Sequence, residues 1–176
     1  MNETLELHVT PAAKRQAEEL LAERGLADRP FAVLAPGGHS STRWPAASFA
    51  RLAVALSVEL GLAVLVEGGA AEDSILRDIE VAVGEDGHRS VLVRQDPLDV
   101  FAALLARARV VVTNDSAPLH FAAALGVPAL YFAQREKLVH SRPPSAACRA
   151  LYDDLENDLR RISVEQALVA IREMVR

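Results

Sequence analysis

The chain has 176 residues, 51% hydrophobic and 24% charged, ordinary values for one globular domain with a full core. Its formal charge of −5 argues against a nucleic-acid-binding role, since such domains carry a basic face. The lone Cys148 excludes an internal disulfide and a cysteine-rich metal site, and no apolar run approaches the roughly 20 residues of a membrane span, so a cytoplasmic protein is expected.

Residues 1–10 read as extended, without a signal-peptide pattern, and as the remnant of a connection to something upstream. Thr10-Pro11 is a helix-start signal, a hydroxyl cap with proline first, and Gly25 closes the helix after about Arg24. Phe31 to Ala35 is the first strand. It ends in Pro36-Gly37-Gly38 and the polar loop His39 to Arg43. Trp44-Pro45 opens the next helix, with Phe49, Leu52, Ala53, Leu56 and Leu60 at helical spacing before Gly61. Strand two is Ala63 to Val66, followed by Glu67-Gly68-Gly69 and a helix from about Ala71 to Val83. Strand three is predicted from Ser90 to Val93, with Asp96-Pro97 capping a helix through Ala106.

Val110 to Thr113 is the fourth strand, β-branched and suited to burial on both faces. It breaks at Asn114-Asp115-Ser116, and Pro118 lies in the first turn of a short apolar helix closed by Gly126. Strand five is Ala129 to Phe132. Ala133 to Asp158 is polar, contains Pro143-Pro144 and shows no clear period. Ser163 caps a closing amphipathic helix with Ala167, Leu168, Ile171 and Val175 inward. Strands alternating with helices mean βαβ units, so the predicted fold class is α/β, a doubly wound, Rossmann-like parallel sheet. No composition break splits the chain. It reads as a single domain over 1–176: a leading helix and linker over 1–30, the core sheet over 31–132, then a tail and closing helix over 133–176.

Three loops leave the carboxyl ends of strands one, two and four: Pro36 to Arg43, Glu67 to Glu72, and Asn114 to His120. In a doubly wound sheet these converge on one edge, where ligands bind. Two contain Gly-Gly, which lets a ligand approach the backbone, and Arg43 with free helix-start amides supplies what a phosphate needs. Asp115 or Glu72 can accept from ribose hydroxyls, and His120 can donate to a phosphate or sugar oxygen. Together they point to a nucleotide-diphosphate site. The plainer alternatives stand beside this reading. Asp115 and Ser116 suit helix capping, His120 a satisfied core position, Arg43 a surface cation stacked on Trp44, and Glu72 the first turn of its helix. Neither glycine pair makes the spaced dinucleotide fingerprint, and no Walker, HExxH or GxSxG pattern occurs. His8, His39, His88, His140 and Cys148 lack ligand spacing, so no metal is expected.

The motif order is more specific than any one motif. Ala35-Pro36-Gly37-Gly38, Arg43-Trp44-Pro45 and Phe49 come first; Val66-Glu67-Gly68-Gly69 and Glu72 follow. Then come Val111 to His120 (Val-Val-Thr-Asn-Asp-Ser-Ala-Pro-Leu-His) and Ala123-Ala124-Leu125-Gly126-Val127-Pro128. This order resembles the lipopolysaccharide heptosyltransferases, glycosyltransferase family nine, over about residues 31–132. The resemblance implies one lobe of the two-lobed GT-B fold, in an enzyme that moves heptose from ADP-heptose to the lipopolysaccharide core with inversion and without a metal. The resembled part is the carboxyl-terminal, donor-binding lobe.

By the same resemblance, Asp115, Ser116, Ala117 and His120 line the diphosphate and sugar, Glu72 faces the ribose, and Ser40, Ser41 and Thr42 border the phosphates. Where the family has a lysine, this chain has Thr42, with Arg43 beside it to carry the charge. Ala117 replaces a glycine, and Phe132-Ala133-Gln134-Arg135 replaces Phe-Gly-Pro-Thr. The family's catalytic aspartate belongs to the amino-terminal lobe, so no catalytic residue is assigned here. The implied partners are a nucleotide sugar, that lobe and, through it, a lipid-linked glycan acceptor, at or near the inner face of the membrane; no cofactor is implied. The chain alone is expected to bind the nucleotide sugar and transfer nothing. Two other readings compete: a stand-alone nucleotide-binding or regulatory module, and a GT-B lobe that takes UDP-sugars.

Overall fold

The structure is a computed structural model that describes residues 6–39, 42–84, 91–138, 143 and 145–175. Thr10 begins the first helix as expected: its hydroxyl accepts from the Ala13 amide at 3.1 Å, and α1 runs Pro11–Glu23. The strands β1 (Phe31–Ala35), β2 (Ala63–Glu67), β4 (Val110–Asn114) and β5 (Ala129–Phe132) are buried at every position. Such runs cannot stand at a water-facing surface, and helices cover both faces. Between them lie α2 (Ala46–Leu60), β3 (Val91–Arg94), α4 (Leu98–Leu105) and α5 (Ala117–Leu125). A 3₁₀ turn over Ala70–Glu72 precedes α3 (Asp73–Val83).

With a sixth strand, β6 (Cys148–Leu151), the strands form one six-stranded parallel sheet in the order β3-β2-β1-β4-β5-β6. One core lies under α2, α3 and the closing helix α6 (Val164–Met174), the other under α1, α4 and α5. β1 sits between β2 and β4, with Ala35 beside Thr113. The loops after β1 and β4 therefore diverge at the point where strand order reverses, and a crevice must open there.

Some boundaries move. Ser90 lies outside the described residues, and β3 extends one residue further than predicted, to Arg94. Asp96 does not cap α4: its carboxylate takes a two-pronged hydrogen bond from Arg94, at 2.7 and 2.8 Å. The predicted structureless tail contains a sixth strand, β6 (Cys148–Leu151), paired with β5. The sequence Cys-Arg-Ala-Leu carries no alternation; the strand is held by the neighbouring ladder and by an ion pair from Arg149 to Glu173 on α6. The closing helix begins as predicted, with Ser163 and Gln166 exchanging side-chain-to-backbone hydrogen bonds.

Candidate functional site

The carboxyl edge of the sheet opens into a cavity of about 450 Å³. Gly37 and Gly38 border it after β1, Glu67 to Gly69 with Glu72 after β2, and Ser116 to Pro118 at the mouth of α5. The three loops singled out in the sequence thus meet in one cleft. A fourth contributor went unnoticed there: Asp96, Leu98 and Phe101, from the segment after β3 and from α4, form its far end.

Asn114 holds the near end together. Its side chain is buried at the end of β4, donates to the carbonyls of Pro36 and Gly37 at 2.9 and 3.0 Å, and accepts from the Trp44 amide at 2.9 Å. One amide thereby fixes the start and end of the β1 loop against β4. Gly38 passes through this region at φ +128°, where a Cβ would sit 3.5 Å from the Asn114 Cβ and 3.6 Å from that of Ser116. Those distances are ordinary contact, but an L side chain is strained at such a φ, so the turn itself requires glycine. Trp44 itself is buried, stacked on Phe132 with centroids 4.1 Å apart, and its indole N–H donates to the Ile162 carbonyl at 2.9 Å. The indole is thus committed to the core, and the reading of Arg43 as a cation stacked on it is replaced.

The predicted site residues divide by position. Ser116 and Ala117 line the cleft. Ser116 occupies the N-cap position of α5, yet its hydroxyl makes no cap bond; it turns back to the Thr113 hydroxyl at 3.2 Å and the Asn114 carbonyl at 3.3 Å. The mouth of the helix is therefore left uncapped by its own side chain, an arrangement that favours an incoming anion. Glu72 lines the opposite wall, where its carboxylate accepts from the Gly69 amide at 3.0 Å. A Cβ on Gly37 would approach the Glu72 side chain to 3.1 Å, so the β1 and β2 loops touch across the cleft.

Arg43 borders an adjoining cavity with Gln134, Asn157, Asp158 and Arg160, and its stem lies against Gly38. Among the described residues its guanidinium has no partner, nor do the side chains of Asp115 and His120. His120 is exposed, so the core reading of it does not hold. Thr42 is buried and its hydroxyl donates to the His39 carbonyl at 3.2 Å, within its own loop and away from the cleft lining. Ser40 and Ser41 lie outside the described residues.

The far end of the cleft is electrostatically unusual. Glu67 is 2% exposed at the end of β2, opposite Arg94 in the sheet register. Burial pushes its carboxyl up to about 8; the adjacent Asp96 carboxylate adds to the rise and Arg94 opposes it. Asp96 moves the other way: burial works against its charge, but the hydrogen bonds from Arg94 and Glu67 prevail and hold it below the usual range. The two neighbouring carboxyls are thus pushed apart, Glu67 toward the neutral form and Asp96 toward the charged one. Its Oε1 lies 3.7 Å from Arg94 Nε and has no hydrogen-bond partner among the described residues. No cluster of His, Cys, Asp and Glu among the described residues is arranged to hold a metal ion, and no described helix is long and apolar enough to cross a membrane.

The family model of glycosyltransferase family 9 (heptosyltransferase) matches residues 3–157. Lipooligosaccharide heptosyltransferase 2 of Haemophilus ducreyi is 33% identical over 105 residues, covering 57% of this chain and 30% of that protein. The structure of E. coli ADP-heptose LPS heptosyltransferase II superposes with a TM-score of 0.83 at 23% identity, over 97% of this chain and 53% of that one. E. coli heptosyltransferase WaaC, solved with ADP, gives a TM-score of 0.73 at 20% identity, over 90% of this chain and 48% of that one. The chain therefore spans about a third of that curated relative and about half of those solved structures. With most of its length matched and the same α/β lobe in its structural neighbours, the chain belongs to glycosyltransferase family 9.

Proposed function

We propose that this chain is the donor-binding lobe of an inverting, metal-independent glycosyltransferase that takes ADP-heptose or a similar nucleotide sugar, in the synthesis of lipopolysaccharide core or a related surface glycan. The observation that carries the reading is the single cleft where the β1, β2 and β4 loops meet: glycine backbone on two sides and an uncapped helix mouth on the third. Glycine loops and helix-start amides suit a diphosphate. Ser116 and the Ala117 backbone border the phosphates, Glu72 accepts from a ribose hydroxyl, and Arg43, Asp115 and His120 supply charge and hydrogen bonds to the diphosphate and sugar. That E. coli heptosyltransferase WaaC was solved with ADP supports a nucleotide as the ligand.

The general base that deprotonates the acceptor hydroxyl comes from an amino-terminal lobe, since a base must come within hydrogen-bond reach of its proton. The acceptor is bound through that lobe as well. Titration calorimetry of the purified chain with ADP, UDP and GDP tests the reading. Heat with ADP, abolished in Asp115→Ala, is expected. A folded sample silent to every nucleotide overturns the proposal, and measurable sugar transfer by the chain alone overturns its assignment as half of an enzyme.

A further inference from the structure

We propose that Thr113 is a positioning residue: it holds the Ser116 hydroxyl so that the serine proton is offered to the diphosphate. The inference rests on the nucleotide reading above and names a residue behind the cleft lining on which that binding depends. Thr113 follows three valines, Val110 to Val112, and is 0% exposed. Valine has the same branched shape and suits a buried strand equally well, without the cost of taking a hydroxyl out of water. The threonine hydroxyl is therefore explained by its partner or not at all. Among the described residues that partner is Ser116, at 3.2 Å.

Ser116 joins this buried hydroxyl to the open cleft, which it lines. A serine hydroxyl has one proton, and here it goes to the Asn114 carbonyl at 3.3 Å. A carbonyl only accepts. The bond between the two hydroxyls therefore has Thr113 as donor and the serine oxygen as acceptor. This sets the polarity of Ser116: its oxygen is occupied from the buried side, and its proton is the part left to trade. The bond to Asn114 is long for a hydroxyl donor, and a charged phosphate oxygen is the stronger acceptor. Turning the proton from one to the other takes only a rotation about the C–O bond. The Leu119 amide, which a capping serine would bind, donates to the Ser116 carbonyl at 3.0 Å instead. The amides of Ser116 and Ala117 have no acceptor among the described residues, so an anion drawn to them arrives beside the hydroxyl.

Calorimetric titration of the purified chain with ADP, and with adenosine, which lacks the phosphates, tests the assignment. Thr113→Val keeps the shape and removes the donor. It is expected to weaken ADP binding by about fivefold, the size of one hydrogen bond, and to leave adenosine unchanged. Thr113→Ser keeps a hydroxyl and should hold ADP affinity at the wild-type value. Ser116→Ala should weaken ADP binding by about tenfold, since the bond lost is to a charged group. Adding Thr113→Val to Ser116→Ala should then cost nothing more, because the threonine acts only through the serine. Should Thr113→Val not fold, Thr113→Ala is measured in its place with the same expectation. Equal losses for ADP and adenosine, no loss in a folded variant without the hydroxyl, or additive losses in the double variant overturn the proposal and leave the nucleotide site standing. A folded wild-type chain silent toward ADP removes the site and this inference with it.

Discussion

The Asn114 side-chain oxygen lies 2.9 Å from the Trp44 backbone amide, seventy residues away in the chain. Through this bond and its two donations to Pro36 and Gly37, the end of β4 determines the path of the loop after β1. Asn114→Ala strips partners from the Trp44 amide and from two loop carbonyls. The expected loss of stability is about 2–4 kcal/mol, read from urea unfolding with an unchanged slope. Nucleotide affinity should fall at the same time, because the displaced loop forms one wall of the cleft.

Gly38→Ala places a Cβ at φ +128°, close to Asn114 and Ser116. A backbone held outside its favoured region costs about 1–3 kcal/mol, and thermal unfolding should report a change of that size. Gly61→Ala serves as the comparison: that position also has positive φ, but a Cβ there meets nothing within 4 Å and lies away from the cleft. Both variants should lose stability, whereas only Gly38→Ala should lose ADP binding.

Glu67 makes the pH dependence of stability specific. Its folded carboxyl titrates at about 8 against an ordinary value of 4.5, so the unfolded chain releases the proton first as pH rises. The stability tied to this proton is fully present below about pH 4.5 and is lost as pH climbs through about 8. Asp96, lowered by its partners, contributes with the opposite sign and only at acid pH. Urea midpoints at several pH values should therefore fall across the interval from 5 to 8, by an amount on the order of a few kcal/mol at most. Glu67→Gln should flatten that slope. A wild-type chain with no decline in this interval would show that Glu67 is charged in the fold.

Arg43→Ala removes a half-buried guanidinium with no partner among the described residues, so its effect on folding should be within about 0.5 kcal/mol. If the side chain serves the diphosphate, ADP affinity drops by about tenfold or more while adenosine affinity stays the same. Raising the salt concentration should shrink the difference between wild type and variant. Equal losses for ADP and adenosine would place Arg43 elsewhere.

The sheet and the three loops that border the cleft were legible because their causes are local. Buried β-branched strands, a hydroxyl-proline helix start at Thr10-Pro11 and a glycine after α2 each act within a few residues. The loop positions then follow from the right-handed crossover rule, which needs no knowledge of contacts. What the sequence concealed depends on partners distant along the chain. β6 owes its conformation to β5 and Glu173, Ser116 gives up capping for Thr113, and Asp96 leaves the helix start for Arg94. Glu67 reads as an ordinary loop carboxylate until the sheet encloses it. Asn114, first seen as a strand-breaking residue, acts as a brace only because β4 lies beside β1.

The hydrogen bonds that shape the two ends of the cleft have no member in common: Asn114 organises one end, while Arg94 and Asp96 organise the other. Substitutions at the second group can accumulate without altering the frame built on the first. The end beside β3 can thereby be remodelled while the frame that holds the β1 loop against β4 stays in place.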